Sequence, residues 1–410
     1  MKKKTALFMT GILAFSGLAA CSNGEGASED GKVEIEFFQY KTEAKGTFDE
    51  LITQFEEENP TIDVVQSNPP DAMTVLKTRI AKRDMPDVIG MGADVTFKEL
   101  VDAKAVADMS DSPALEGIQP AYVQMLKDVS GAKEVYGVPY AANAVGVIYN
   151  KAIFKELGLE IPQTWDEFIA AAEKVKASGK IPFYFTFKDA WTTLPSYNVL
   201  AANTQGEDFF KQLNAGETTF AEGHKEATEK YLKLLENSHP NQDGKAYTDG
   251  NTAFANGESA MYLQGVWAIP EIKKANPDID LGVFPFPVTN TPGESKVVSG
   301  VDLLLATAAT TEHPEEAQKF IEFLTSDEVA KEYIAQQNAF SAKEGIVQED
   351  PTVEGLKESF EKGAVVDFPD HYIPSAVGLD RQLQVFVKDQ DPAAYLKTLD
   401  AEWAKVADRK

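Results

Sequence analysis

Cysteine is nearly absent: Cys21 stands alone among 410 residues. Past that position the chain has no disulfide, no thiol nucleophile and no cysteine metal site, so its fold rests on burial. Histidine is almost as scarce, and His224, His239, His313 and His371 show no spacing suited to a metal. No glycine-rich phosphate cradle occurs. Asn241-Gln242-Asp243-Gly244-Lys245 begins like a calcium loop, but Lys245 occupies a ligand position and the closing glutamate is missing, which leaves a solvated turn. No cofactor and no metal are expected. Basic residues are outnumbered 39 to 65, giving a formal charge of −26. Such a surface repels phosphate backbones, which argues against nucleic acid and favours a neutral ligand.

Long apolar runs are lacking except at the start, where Lys2, Lys3 and Lys4 precede Ala6 to Ala20. A basic end, a short apolar core and small residues before a cleavage point predict a secretory signal over residues 1–20. Leu18-Ala19-Ala20-Cys21 resembles a bacterial lipobox, which implies a diacylglyceryl group on Cys21 and a membrane anchor there. Residues 21–31 then read as the lipidated N-terminus and a flexible tether, since Ser22 to Gly31 has no apolar periodicity. Two acyl chains on one residue supply stable anchoring where one does not. Without the signal's three lysines the balance is 65 acidic against 36 basic residues, or −29.

The remaining length suits two domains of ordinary size. No internal repeat is present, and strand-like and helix-like periodicities alternate, as in an α/β architecture. Val33 to Phe38 begins as a strand, and Thr47-Phe48-Asp49-Glu50 has capping-box spacing ahead of a helix with Phe48, Leu51, Ile52 and Phe55 on one face. A strand at Thr61 to Val65, a helix near Ala72 to Lys82 and a strand at Val88 to Met91 follow, predicting one parallel sheet. A second α/β region opens with a strand at Val145 to Tyr149 and a helix from Asn150 to Gly158. Thr164-Trp165-Asp166-Glu167 repeats the capping box before another helix. Ile181 to Phe187, Ala260 to Leu263, Leu281 to Phe284 and Val301 to Ala306 read as strands, and the chain from His313 is mostly helical.

The run from Lys133 to Lys151, with Tyr136-Gly137-Val138-Pro139-Tyr140 at its heart, resembles the extracellular sugar-binding proteins of ABC importers, family 1. Ala255 to Met261 with Gly265-Val266-Trp267, Ala317 to Ser326 and Met85-Pro86-Asp87-Val88 resemble further signatures of that family in the expected order. Lys188 to Pro195 and Phe368 to Tyr372 are similar to its multiple-sugar and raffinose-type members, which take α-1,6-linked gluco- and galacto-oligosaccharides.

The resemblance implies a type II binding-protein fold. Two α/β lobes, each a mostly parallel sheet flanked by helices, are joined by hinge crossings near Pro139 to Ala142, Phe284 to Pro287 and Leu324 to Asp327. The first lobe would comprise residues 32–139 and 287–325, and the second residues 140–286 and 326–410. It also implies a monomer that captures an oligosaccharide by closure and delivers it to the permease subunits of an importer at the extracellular face.

Sugar recognition needs flat apolar faces for C–H surfaces and fixed polar groups to replace the water each hydroxyl loses. Trp191, set in a polar loop, and Trp267, following Gly265, are the candidate platforms. Lys41 and Asp94 follow strands of an open sheet, where ligands bind. Asn143 at the first crossing, Asp189, Asp370 and His371 complete the candidates, with Tyr40, Tyr262 and Asp302 as weaker ones. Core filling is the alternative for each tryptophan, surface solvation for Lys41 and Asp94, and helix capping for Asp94 or Asp189. A lipid-anchored glycosidase using two carboxylates, or a binder of another solute, are the rival functions that the sequence leaves open.

Overall fold

Apolar residues on both faces of the first strand determine how the first lobe is layered. In β1 (Val33–Gln39), Ile35 and Phe37 enter one core and Phe38 enters another on the opposite face. Helices therefore cover both sides. Phe48, Leu51, Ile52 and Phe55 pack beneath, while Leu76, Phe97 and Leu100 pack above. The computed structural model describes residues 31–407; the signal sequence, Cys21 and the tether up to Asp30 lie outside them. Among the described residues no helix is long and apolar enough to cross a membrane.

After β1 the chain lays down β2 (Ile62–Ser67), β3 (Val88–Met91) and β4 (Val138–Ala142), then leaves this sheet. It builds β5 (Val145–Asn150), β6 (Ile181–Tyr184), β7 (Ser259–Gly265) and β8 (Leu281–Phe284) in a second sheet, and a short β9 (Val297–Val298). It returns through β10 (Val301–Thr307) and β11 (Phe340–Ser341), and β12 (Val365–Val366) finally pairs with β9. The first sheet has the order β11-β4-β10-β3-β1-β2, the second β6-β7-β5-β8. Parallel pairing is confined to β2-β1-β3, β6-β7 and β12-β9, so both large sheets are mixed where mostly parallel ones were expected. The cause is the route: β10 re-enters the first sheet from the hinge side and runs antiparallel to β3 and β4.

Three passages join the lobes. The first, Asn143–Ala144, lies directly after the segment expected from sequence. The second falls at Ser299–Gly300 rather than near Phe284 to Pro287, because Phe286 and Val288 fill the second lobe's core. The third falls between Ile346 and Val353 rather than near Leu324 to Asp327. Tyr333 and Ile334 of the helix Asp327–Gln337 pack in the first lobe, and β11 extends its sheet beside β4.

Local caps met mixed fates. Thr164 accepts from the Glu167 amide as its spacing predicts. Thr47 does not cap; the helix begins at Lys45, and the Thr47 hydroxyl donates to Gln336 at 2.7 Å and accepts from Gln337 at 2.8 Å.

Asp350 lies on the third passage and ties both lobes to it. Its carboxylate accepts from Lys273 of the second lobe at 3.0 Å, from Asn338 of the first at 2.7 Å and from the Thr352 amide at 2.7 Å. Burial pulls this carboxyl upward, but hydrogen bonds from Thr352, Lys273 and Asn338 outweigh it and hold it at about 2. A depressed folded value means stabilisation that is complete above the ordinary value of 3.8 and lost as pH falls toward about 2. Asp350→Asn should lower the thermal midpoint at pH 6 by roughly 1–2 °C, the equivalent of about 1 kcal/mol in a chain of this length. The deficit should shrink in melts at pH 3 and vanish only as pH falls below about 2; a deficit constant with pH would contradict the assignment.

Candidate functional site

The ends of β1, β3 and β7 and all three passages converge on the seam between the lobes. Lys41, just past β1, is buried. Its ammonium donates to Asp302 of β10 at 2.6 Å and lies 3.1 Å from Glu43. Burial opposes the charge, yet Asp302 and then Glu43 raise the lysine well above its ordinary range. The same Asp302 carboxylate accepts from Asn143 at 2.9 Å, and its backbone carbonyl accepts from the Tyr40 hydroxyl at 2.7 Å. Asn143 is bound to the second passage as well, its backbone carbonyl accepting from the Ser299 hydroxyl at 2.6 Å. Lys41, Asn143 and Asp302 thus form one buried network pinning two passages to the end of β1.

Asp94, past β3, caps the helix Val95–Asp102 through the amides of Thr96 and Phe97. It also faces the other lobe: its charge raises both Asp370 and His371. Burial is the main upward influence on the Asp370 carboxyl, opposed chiefly by His371, and Asn198 donates to it at 2.8 Å. His371 Nδ1 bonds Asp367 at 2.9 Å.

Trp191 is 41% exposed, a large value for an indole, and stands edge-on against Tyr247 with centroids 4.9 Å apart. Asp189 fixes this pair from below by accepting the Tyr247 amide at 2.7 Å. The Tyr247 hydroxyl is raised by burial and next by Glu43, which belongs to the opposite lobe, so the platform borders the seam. Trp191 lies in a short 3-10 helix, Ala190–Thr193, and Asn198 in the α-helix Leu194–Ala202 that follows it directly, so two short helices in series lead from the indole to Asp370.

Trp267 lies beside the first passage, where the Val266 amide donates to Ala144. Its ring rests on Gly265, and a Cβ there would meet the indole at 1.9 Å, so only glycine permits this approach. The indole is half-buried against both cores of the second lobe, and its Nε1 has no partner among the described residues. Tyr262 is buried in the core beside Phe254.

Between the lobes, Ser375 of the second reaches two helices of the first. Its hydroxyl donates to Glu99 at 2.5 Å and accepts from Lys77 at 3.2 Å, and those two residues pair at 3.0 Å.

Sequence reasoning passed over Glu43, Asn198, Tyr247 and Asp367. Asn198 had a signal, being an amide followed by the apolar run Val199-Leu200-Ala201-Ala202 in a helix that the structure buries. Asp302, ranked low, had a similar one as the only charge in the fully buried β10. Glu43 and Asp367 lie in irregular segments with no such contrast.

Two lobes joined by three passages, with an exposed indole and a row of charged and polar side chains along their seam, have the architecture of a solute-binding protein. The chain belongs to the bacterial extracellular solute-binding proteins, whose family model matches residues 40–331. It is 35% identical over 348 residues to the multiple sugar-binding protein of Streptococcus mutans, covering 81% of each chain. Among solved structures it is similar to the solute-binding protein RafE in complex with raffinose, with a TM-score of 0.79 and 30% identity over 91% of this chain and 99% of that one. Against the apo form of RafE from Streptococcus pneumoniae the TM-score is 0.72 at 31% identity, over 92% and 98% of the two chains.

Proposed function

We propose that this protein captures an α-1,6-linked gluco- or galacto-oligosaccharide and hands it intact to the permease of an ATP-driven importer. The observation that carries the reading is the seam itself: an indole left 41% exposed against Tyr247, followed directly in the chain by the helix whose Asn198 holds Asp370 beside His371. A flat apolar plate beside fixed acceptors and donors is what a sugar's C–H face and hydroxyl edge require. Trp191 and Trp267 act as platforms, and Asp94, Asp189, Asp370 and His371 as polar partners. Lys41 and Asn143 meet the sugar from the hinge, where their other contacts already hold them. The raffinose-bound neighbour and the sugar-binding relative support the substrate class. A lipid on Cys21 is not needed for binding; the diacylglyceryl group would hold the monomer at the extracellular face.

The test is calorimetric titration with raffinose, panose, isomaltotriose, maltotriose and a β-linked trisaccharide, followed by recovery of the sugar. The α-1,6 ligands should bind with a negative heat-capacity change, shrink the scattering radius and be recovered uncleaved. Binding of none of them would remove the substrate class, and steady release of monosaccharide would establish a hydrolase.

A further inference from the structure

Asp367 lies beyond the segment matched by the family model, which ends at residue 331, and is among the least exposed carboxylates at the seam, with 9% of its side chain accessible. Every bond it makes serves its neighbours. Oδ1 accepts from His371 Nδ1 at 2.9 Å and from the Phe368 amide at 2.7 Å, and Oδ2 accepts from the Tyr372 hydroxyl at 3.0 Å. The imidazole is held from another side by Phe368, whose ring centroid lies 5.0 Å away at 30°. Gly300 on the second passage closes the arrangement: a Cβ there would come within 2.7 Å of Asp367 Oδ1 and 3.2 Å of His371 Cε1. The ring's position is therefore set by the hinge. With Nδ1 engaged, the opposite nitrogen, Nε2, is left with no partner among the described residues.

We propose that Asp367 is a positioning residue that keeps His371 doubly protonated, so that Nε2 presents an N–H donor to the cleft and selects a ligand oxygen that accepts a hydrogen bond there. A neutral imidazole could instead offer a lone pair and accept from a hydroxyl. The charged groups facing the ring are Asp367 and Asp370 from its own segment and Asp94 from the first lobe. Burial pushes the imidazole down, but Asp367, then Asp370 and Asp94, more than offset this and bring it up to about 9. A raised folded value means that the proton is held through neutral pH and lost as pH rises through about 9. The inference rests on the sugar reading only in taking the accepting oxygen to be a hydroxyl, ring or glycosidic oxygen.

The charge state can be measured without any ligand, from the imidazole resonances of the intact chain labelled with carbon-13 histidine. His371 should titrate near pH 9, and Asp367→Asn, which keeps an acceptor but removes the charge, should lower its midpoint by two units or more. Raffinose affinity should be flat between pH 5.5 and 8 in the unaltered protein. In the variant it should match at pH 5.5 and drop at least tenfold by pH 8. A wild-type midpoint at or below 6.5 overturns the proposal, as does an affinity loss in the variant equal at every pH, which would mark Asp367 as structural. Should the variant not fold, the wild-type titration decides alone. Absence of raffinose binding to the unaltered protein would sink the sugar reading and leave the imidazole result standing.

Discussion

Truncating Trp191 to alanine is expected to weaken oligosaccharide binding by about thirtyfold or more while leaving the thermal midpoint within a degree or two. A well-placed tryptophan contributes about 2 kcal/mol or more to binding on truncation. Here its removal leaves the core alone, because the indole is 41% exposed and its close aromatic neighbour is Tyr247. Calorimetry on the variant reads the affinity, and a thermal melt reads the fold. Asp189 and Tyr247 remain bonded through the Tyr247 amide, so the mount survives the loss of the plate. Unaltered affinity would remove Trp191 from the site and leave Trp267 as the remaining platform.

Lys41→Ala should destabilise the protein by about 3–5 kcal/mol, since it strands a buried carboxylate without its counter-ion. The lysine is 4% exposed, and Asp302, at 6%, is too enclosed for bulk water to take over the role. Denaturant unfolding of the single variants and of Lys41→Ala combined with Asp302→Asn would isolate the pair. The double variant should recover more than half of the loss, because a neutral amide in place of the Asp302 carboxylate needs no ammonium and can still face Asn143 and Tyr40. Losses that simply add would show that the two residues act independently. Because Asn143 also grips the second passage, the variant should close on sugar less completely, visible as a smaller change in scattering radius.

These two residues mark how far sequence reasoning reached. Trp191 stands out in the sequence because a large apolar side chain between Asp189 and Thr192 conflicts with its polar surroundings, and its exposure in the fold agrees with that contrast. Lys41 was legible only as a charge after a strand; that Asp302, 261 positions away, would occupy its ammonium was not. Asp367 and Glu43 gave no local contrast at all. The same division runs through the fold. The Thr164 cap and the apolar face of Phe48, Leu51, Ile52 and Phe55 appear as their spacing predicts. The Thr47 cap does not, because Gln336 and Gln337 reach its hydroxyl from another helix.

Signals of short range are carried in the chain as written: strand alternation, helix periodicity, caps and the signatures shared with a family of solute-binding proteins. They suffice for an α/β architecture with two lobes, because each depends on residues within about one turn or one strand of each other. Strand direction, the second and third passages and the polar network at the seam depend on where the chain returns. β10 comes back into the first sheet after a long excursion through the second lobe, and its entry from the hinge is what makes it antiparallel and brings Asp302 onto Lys41 and Asn143. A contact between residues 198 and 370, or 77 and 375, leaves no periodicity to read; the first exists once the second lobe's core has formed, the other once the two lobes have met.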